Sequence, residues 1–255
     1  MAYHLDFGPV LAQADRFAEG ALMTLELSFA AIACGTLIGT AGALCASFGG
    51  TWVKRAVACY VEAIRNTPFL VQLFIIFFGL PTVGLQIDAV TAALIAMSVN
   101  LGAYATEIIR AGVQSIHRTQ FEAAAALAMT RWQTIRHIVL VPAFEKVYPS
   151  LASQFTLMML TSSVVSTISV EELTAIASVI DSQTFRTFES YILVMAIYIV
   201  LALLLRGVFF AIGLLVFRRK RRVEILKART QGRSTIATAV ADAAEESEAT
   251  QGVAP

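Results

Sequence analysis

Residues 27–47 contain no charged side chain, and neither do residues 68–87 or 147–170. Uncharged runs of this length suit helices that cross a bilayer, where each backbone N–H and C=O must be satisfied within its own segment. Residues 89–107 and 189–217 add two more apolar stretches, with Glu107 and Glu189 near their ends and Arg206 placed to reach the headgroups. The expected fold is therefore an all-α integral membrane protein with five transmembrane helices. Composition agrees: 15% of the 255 residues are charged, against about a quarter in a soluble domain.

Within the first run, Ala31, Gly35, Gly39, Ala43 and Ser47 recur every fourth residue. They form a small-residue face against which another helix of the same chain can pack closely. Pro68 disfavours helix at Thr67, so the chain is expected to bend before the second span. Two charged pairs at i, i+3, Glu62 with Arg65 and Glu107 with Arg110, are spaced to meet on a helix face. The fourth span carries Gln154, Thr161, Ser162 and Ser163, with further hydroxyls nearby. Together with Gln72 in span two and Asn100 in span three, they are the candidate translocation pathway. The competing reading is hydrogen bonding within or between helices, because hydroxyls readily bond back to their own helix.

Orientation is read from Lys and Arg in short connections. Lys54 and Arg55 follow span one. Arg110, Arg118, Arg131, Arg136 and Lys146 fall between spans three and four, and Arg218–Arg222 follow span five. The alternate connections carry only Arg186 against Asp88, Glu171, Glu172 and Asp181. The N-terminus is thus expected outside and the C-terminus inside. Residues 1–20 form an extracytoplasmic lead-in, 21–218 the transmembrane domain, and 219–255 a basic stop segment followed by a disordered tail.

Residues 119–144 stand apart because they are polar, charged and helical in a greasy chain. Thr119–Glu122 and Thr130–Gln133 each match a capping box, in which the first side chain and the fourth satisfy each other's free N–H groups. Two short helices joined by a turn at 128–130 follow. Between spans three and four, on the cytoplasmic side, such a pair is suited to docking a soluble partner. The chain has no phosphate-binding glycine loop, no nucleophile elbow and no paired metal-binding cysteines or histidines. Cys34, Cys45 and Cys59, like His4, His117 and His137, form no metal-ligand pattern. No metal site, no catalytic residue and no nucleic-acid contact are expected.

With these residues in hand, the chain resembles the permease subunits of binding-protein-dependent ABC importers, polar amino acid subfamily. The resemblance rests on Glu122-Ala123-Ala124, on the approach to Pro142, and on ordered blocks at 58–81, 98–116, 121–140 and 186–205. It implies a coupling helix formed by Glu122, Ala123 and Ala124, with a turn at Ala128 and a second half opened by Arg131 and Trp132. It also implies two copies of a cytoplasmic ATP-binding subunit that hold the ATP and Mg, since this chain binds no cofactor itself. A second permease subunit, identical or related, and a periplasmic or extracellular solute-binding protein complete the assembly. The implied cargo is a small polar solute, such as a polar amino acid or an opine, and the implied location is the lipid of a bacterial inner membrane. Three positions depart from the family pattern: Ala128 stands where glycine is usual, Pro142 comes one position late, and Leu160-Thr161 replaces a common Lys-Asp pair. The alternatives are a secondary transporter or channel, and a non-transporting membrane scaffold.

Overall fold

The computed structural model describes residues 4–216, and every regular element among them is a helix. The basic run and the expected tail lie outside the described residues. A short α1 (Gly8–Leu11), with proline in its first turn, leads into α2 (Ala14–Phe48). At about 1.5 Å per residue, this 35-residue helix more than covers a core about 30 Å thick. It takes in the second part of the expected lead-in, because no proline or glycine pair interrupts the chain between Ala14 and Leu27.

The bend at Pro68 is present and sharp. α3 (Thr51–Arg65) and α4 (Phe69–Thr82) meet at 106°. Pro68 has no N–H to continue α3, and its ring pushes Thr67 out of the helical region. The 14 residues of α4 rise about 21 Å at the usual pitch, too little to cross alone. Among the described residues four helices are long and apolar enough to span, and the bent pair supplies a fifth crossing if taken as one.

α5 (Ala89–Gln114) is capped by Asp88, whose carboxylate accepts the Thr91 hydroxyl at 2.6 Å and the Thr91 N–H at 3.0 Å. Those bonds hold the Asp88 carboxyl below its ordinary range. Then come α6 (Arg118–Ala126), the single turn α7 (Arg131–Gln133), a π-helical segment (Thr134–Leu140) and α8 (Val141–Thr161). A 3₁₀ segment (Ser162–Ile168) extends α8 until Ser169, at φ 68°, ends it. α9 (Leu173–Thr184) and α10 (Thr187–Val216) follow. The elements up to Val208 form one compact unit, and the last turns of α10, from Phe209, are not part of it.

α5 is the centre of the first unit, with Ala92, Ala93, Ala96, Met97, Leu101, Ala105 and Ile109 fully buried. The small face of α2 packs on it: Ala31, Gly35, Gly39 and Ala43 are all buried. A Cβ at Gly39 would fall 3.0 Å from the Ala105 carbonyl carbon and closer still to the Ala105 methyl, so only glycine permits this approach. Gly35 meets Leu101 and Gly42 meets Thr106; the two helices therefore run parallel. α6 follows the end of α5, whereas Gly20, early in α2, abuts Leu173 of α9. The polar helix pair and α9 thus occupy opposite ends of the bundle.

Candidate functional site

The polar pair is built by local rules, one of which differs from expectation. α6 begins one residue before Thr119, because His117 is its cap: Nδ1 of His117 accepts the Thr119 N–H at 3.3 Å. The expected Thr119–Glu122 box does not form. Glu122 instead pairs with Arg118 one turn earlier, at 3.2 Å. Both side chains are largely exposed, so the pair adds at most a few tenths of a kcal/mol. The second box is present in full: Thr130 N–H donates to Gln133 Oε1 at 2.8 Å, and Gln133 N–H donates to Thr130 Oγ1 at 3.3 Å.

Between them lies the turn. Ala128 has φ 52°, the left-handed conformation that glycine would adopt without strain. Ala128 N–H donates to the Ala125 carbonyl at 3.0 Å and Met129 N–H to the Ala124 carbonyl at 3.1 Å. This 5→2 and 6→1 pairing is the Schellman ending, which satisfies the last carbonyls of α6. The geometry is therefore that of a glycine turn, made with alanine at a cost of about 1 kcal/mol.

Ala124 is 2% exposed and turned inward, so it anchors α6 instead of lying on its outer surface. Glu122, Ala123, Ala125, Ala126 and Arg131 face out, joined by Leu127 at 75% and Trp132 at 62% exposure. Leu127 was not singled out in the sequence, although its place beside the turn was visible. Two large apolar side chains next to an alanine surface form an exposed apolar patch. Beyond Trp132, the π segment widens the turns ahead of Pro142. A proline in continuous α-helix clashes with the carbonyl four residues before it, and a π turn moves that carbonyl aside.

The pathway candidates divide into two groups. Gln72 and Asn100 come together: Asn100 Nδ2 donates to Gln72 Oε1 at 2.9 Å. Gln72 Nε2 donates to the carbonyls of Ile64 at 2.7 Å and Thr67 at 3.0 Å. Both carbonyls lie where Pro68 ends α3, and Ile64 also accepts from the Thr67 hydroxyl at 3.3 Å, so the two amides tie the bend to α5. Thr161, Ser162 and Ser163 donate to the Leu157, Met159 and Leu160 carbonyls at 2.9, 2.6 and 3.0 Å. Each is bonded to its own helix at the α-to-3₁₀ change. Gln154 is half-buried on α8.

Charged groups pair both within and across elements. Glu107 receives Arg110 on both oxygens, at 2.9 and 2.7 Å, as its spacing predicts. Arg65 does not pair with Glu62. It stacks on Tyr104 at 5.5 Å and lies 4.0 Å from Glu107, while Glu62 accepts from Asn66 at 2.8 Å. At the other end, Glu172 is fully buried. It accepts the Tyr198 hydroxyl at 2.7 Å and caps α9 through the Ala175 N–H at 2.9 Å. Burial raises the Glu172 carboxyl above its ordinary range, and these bonds partly offset the shift. An acid directly ahead of apolar Leu173 was the one sequence sign of this cap. Glu189 is buried as well, accepting the Asp6 N–H at 2.9 Å.

This architecture has known counterparts. The chain is 37% identical to the glutamine transport system permease protein GlnP of Escherichia coli (strain K12), over 82% of its own length and 93% of that protein. It superposes on a crystal structure of an amino acid ABC transporter with histidines at a TM-score of 0.75 and 37% identity, covering 83% of this chain and 99% of that one. An inward-facing structure of the MetNI methionine ABC transporter shares the fold at 18% identity and a TM-score of 0.68, covering 79% and 96%. The family described as binding-protein-dependent transport system inner membrane component matches residues 38–222, and the chain belongs to that family.

Proposed function

We propose that this chain is the permease subunit of an ABC importer for a polar amino acid or a related solute, and that α6, the Ala128 turn and α7 are its coupling element. The observation that carries this reading is the exposed face of Glu122, Ala123, Ala125, Leu127 and Trp132, held rigidly by Ala124, the Schellman turn and the Thr130–Gln133 box. A membrane protein gains nothing by stiffening an apolar surface at a bundle end unless a partner covers it. The partner in this reading is a cytoplasmic ATPase subunit, present in two copies and holding ATP and Mg. Two permease subunits form the channel in a bacterial inner membrane, with the N-terminus outside. A soluble binding protein delivers the solute, whose amino acid character is supported by the names of the relatives that the chain resembles.

Glu122→Lys tests the reading. It places a cation in the docking face beside Arg118 without touching a buried residue. The expected result is normal membrane insertion with loss of ATPase co-purification and of solute uptake. Wild-type ATPase yield on the variant removes the docking role. Transport by purified chain without ATPase, down an ion gradient, replaces the importer reading with a secondary transporter.

A further inference from the structure

Two carboxyls are fully buried among the described residues, Glu172 and Glu189. Glu189 has Arg186 at 3.5 Å. Glu172 has no cation, since none of the ion pairs of the described residues includes it. An ionised carboxylate taken out of water without an opposite charge is costly, and such a group takes up a proton instead. Burial accordingly raises the Glu172 carboxyl above its ordinary range, against the pull of its hydrogen bonds.

The elements packed around Glu172 bring it hydroxyls in place of charges. α10 offers Tyr198, and Ser162, in the 3₁₀ segment that ends α8, lies by the same hydroxyl. Neither α1 nor the 3₁₀ segment holds a titratable side chain. On α2, Thr24 accepts the neighbouring Leu173 N–H and Arg16 goes to Gln183, while Asp15, Glu19 and Glu26 make no bond to Glu172. Glu171 is exposed, Asp181 accepts the Thr187 hydroxyl, and Arg186 pairs with Glu189 and Asp6.

The bonds that remain can run in either direction. Oε1 of Glu172 accepts the Ala175 N–H at 2.9 Å and Oε2 the Tyr198 hydroxyl at 2.7 Å. The Tyr198 hydroxyl lies 3.1 Å from that of Thr174, and either can be the donor. With Glu172 ionised, Thr174 donates to Tyr198 and Tyr198 donates to Oε2. When a proton from water adds to Oε2, the new acid O–H donates to Tyr198, whose hydroxyl turns to Thr174. Tyr198 keeps its own proton throughout, and Oε1 keeps the Ala175 N–H. A helix cap needs none of this, because neutral Ser, Thr or Asn caps without burying a charge.

We infer that Glu172, Tyr198 and Thr174 form a proton-binding site that takes up a proton on Oε2 as pH falls and releases it as pH rises. The site belongs to the chain's own fold, whichever partner covers α6 and α7. It joins α9 to α10 beside the α-to-3₁₀ change, and this joint is tightest when protonated. The folded carboxyl titrates above the unfolded one. Its contribution to stability is therefore full below the ordinary glutamate range and is lost as pH rises through the folded value.

The test uses the full chain in lipid nanodiscs. Infrared difference spectra between acid and neutral pH follow the C=O stretch of protonated carboxylic acids, and subtracting the Glu172→Gln spectrum isolates Glu172. Gln keeps the geometry, since its oxygen accepts the Ala175 N–H and its amide donates to Tyr198 as the acid does. The expected midpoint lies above the ordinary glutamate value of about 4.3. A midpoint at or below that value overturns the site. Thermal melts read the same equilibrium: the parent should lose Tm relative to Glu172→Gln as pH rises through this window. A parent that gains Tm there, or a difference that stays constant with pH, also overturns it. Tyr198→Phe needs no Gln variant. It removes a donor to the ionised form, so the parent-minus-variant spectrum should show the band displaced to higher pH; an undisplaced band overturns the relay.

Discussion

The α2–α5 seam and the α6–α7 pair are made of the same small residues and use them in opposite ways. In the seam, Ala31, Gly35 and Gly39 let two backbones close on each other until no atom can be added. On α6, Ala123, Ala125 and Ala126 lie bare at a bundle end. A small residue whose neighbour is already present serves stability. One that faces outward beside Leu127 and Trp132 leaves room for a neighbour, and in the proposed reading that neighbour is the ATPase. Substitutions to valine in both regions separate these roles.

The largest effect is expected in the seam. Gly39→Val drives two methyls into Ala105 and its backbone, and overpacking of this kind costs about 3 kcal/mol. The variant should lose monodispersity in detergent or unfold well below the parent's Tm. Ala125→Val adds two carbons on the exposed face and should leave Tm unchanged while reducing ATPase co-purification. If both variants lower Tm alike, the contrast between packed and open small residues is wrong.

Next in size is the bend between α3 and α4. Asn100→Leu removes the partner of Gln72 Oε1 and loosens the amide that closes the Ile64 and Thr67 carbonyls. A buried polar atom left unpaired costs about 1–3 kcal/mol. A loss of Tm between those of Gly39→Val and the surface variants is expected. Altered solute selectivity at parental stability would return Asn100 to the pathway.

What was legible in the sequence follows the range of the interaction. Five apolar segments, the bend at Pro68, the small face of α2 and the Thr130–Gln133 box all depend on residues a few positions apart, and all are present. The Thr119–Glu122 box was misread for a local reason: His117 offers an acceptor two residues earlier and takes the cap. The Glu62–Arg65 pair failed for a distant one, since the bend carries Arg65 to Tyr104 and Glu107 on another helix. Glu172 stands with Glu171 and Asp181 among the acids of a short connection, yet it is buried and bonded to Tyr198, 26 positions on. Neither Ser169 nor Phe185 carries the glycine that normally announces a left-handed residue. The π segment has no local sign beyond Pro142, whose one-position delay fits a stretch that houses more residues per turn.

A smaller effect is expected at the cap. Thr130→Ala removes the acceptor of the Gln133 N–H and should cost about 1 kcal/mol of local stability. Because α7 lies outside the core, the loss should appear as faster amide exchange at residues 131–134, with little change in global Tm. Reduced ATPase association would follow from a loosened contact face, whereas the seam variant affects the fold first.

The smallest effect has the opposite sign. Ala128 pays for its left-handed φ with its Cβ, and the Schellman bonds it makes are backbone bonds that glycine makes equally well. Ala128→Gly should therefore stabilise the turn by less than about 1 kcal/mol, the relief of strain being partly offset by the greater freedom of glycine in the unfolded chain. ATPase association should be retained, because the methyl is not needed to hold Leu127 and Trp132 in place. Amide exchange at Ala128 and Met129, compared between parent and variant, reads the change directly. Slower exchange with full association means that the turn only joins two halves of a docking face. Slower exchange with weakened association means that the Ala128 methyl itself touches the partner, and the contact face then extends across the turn.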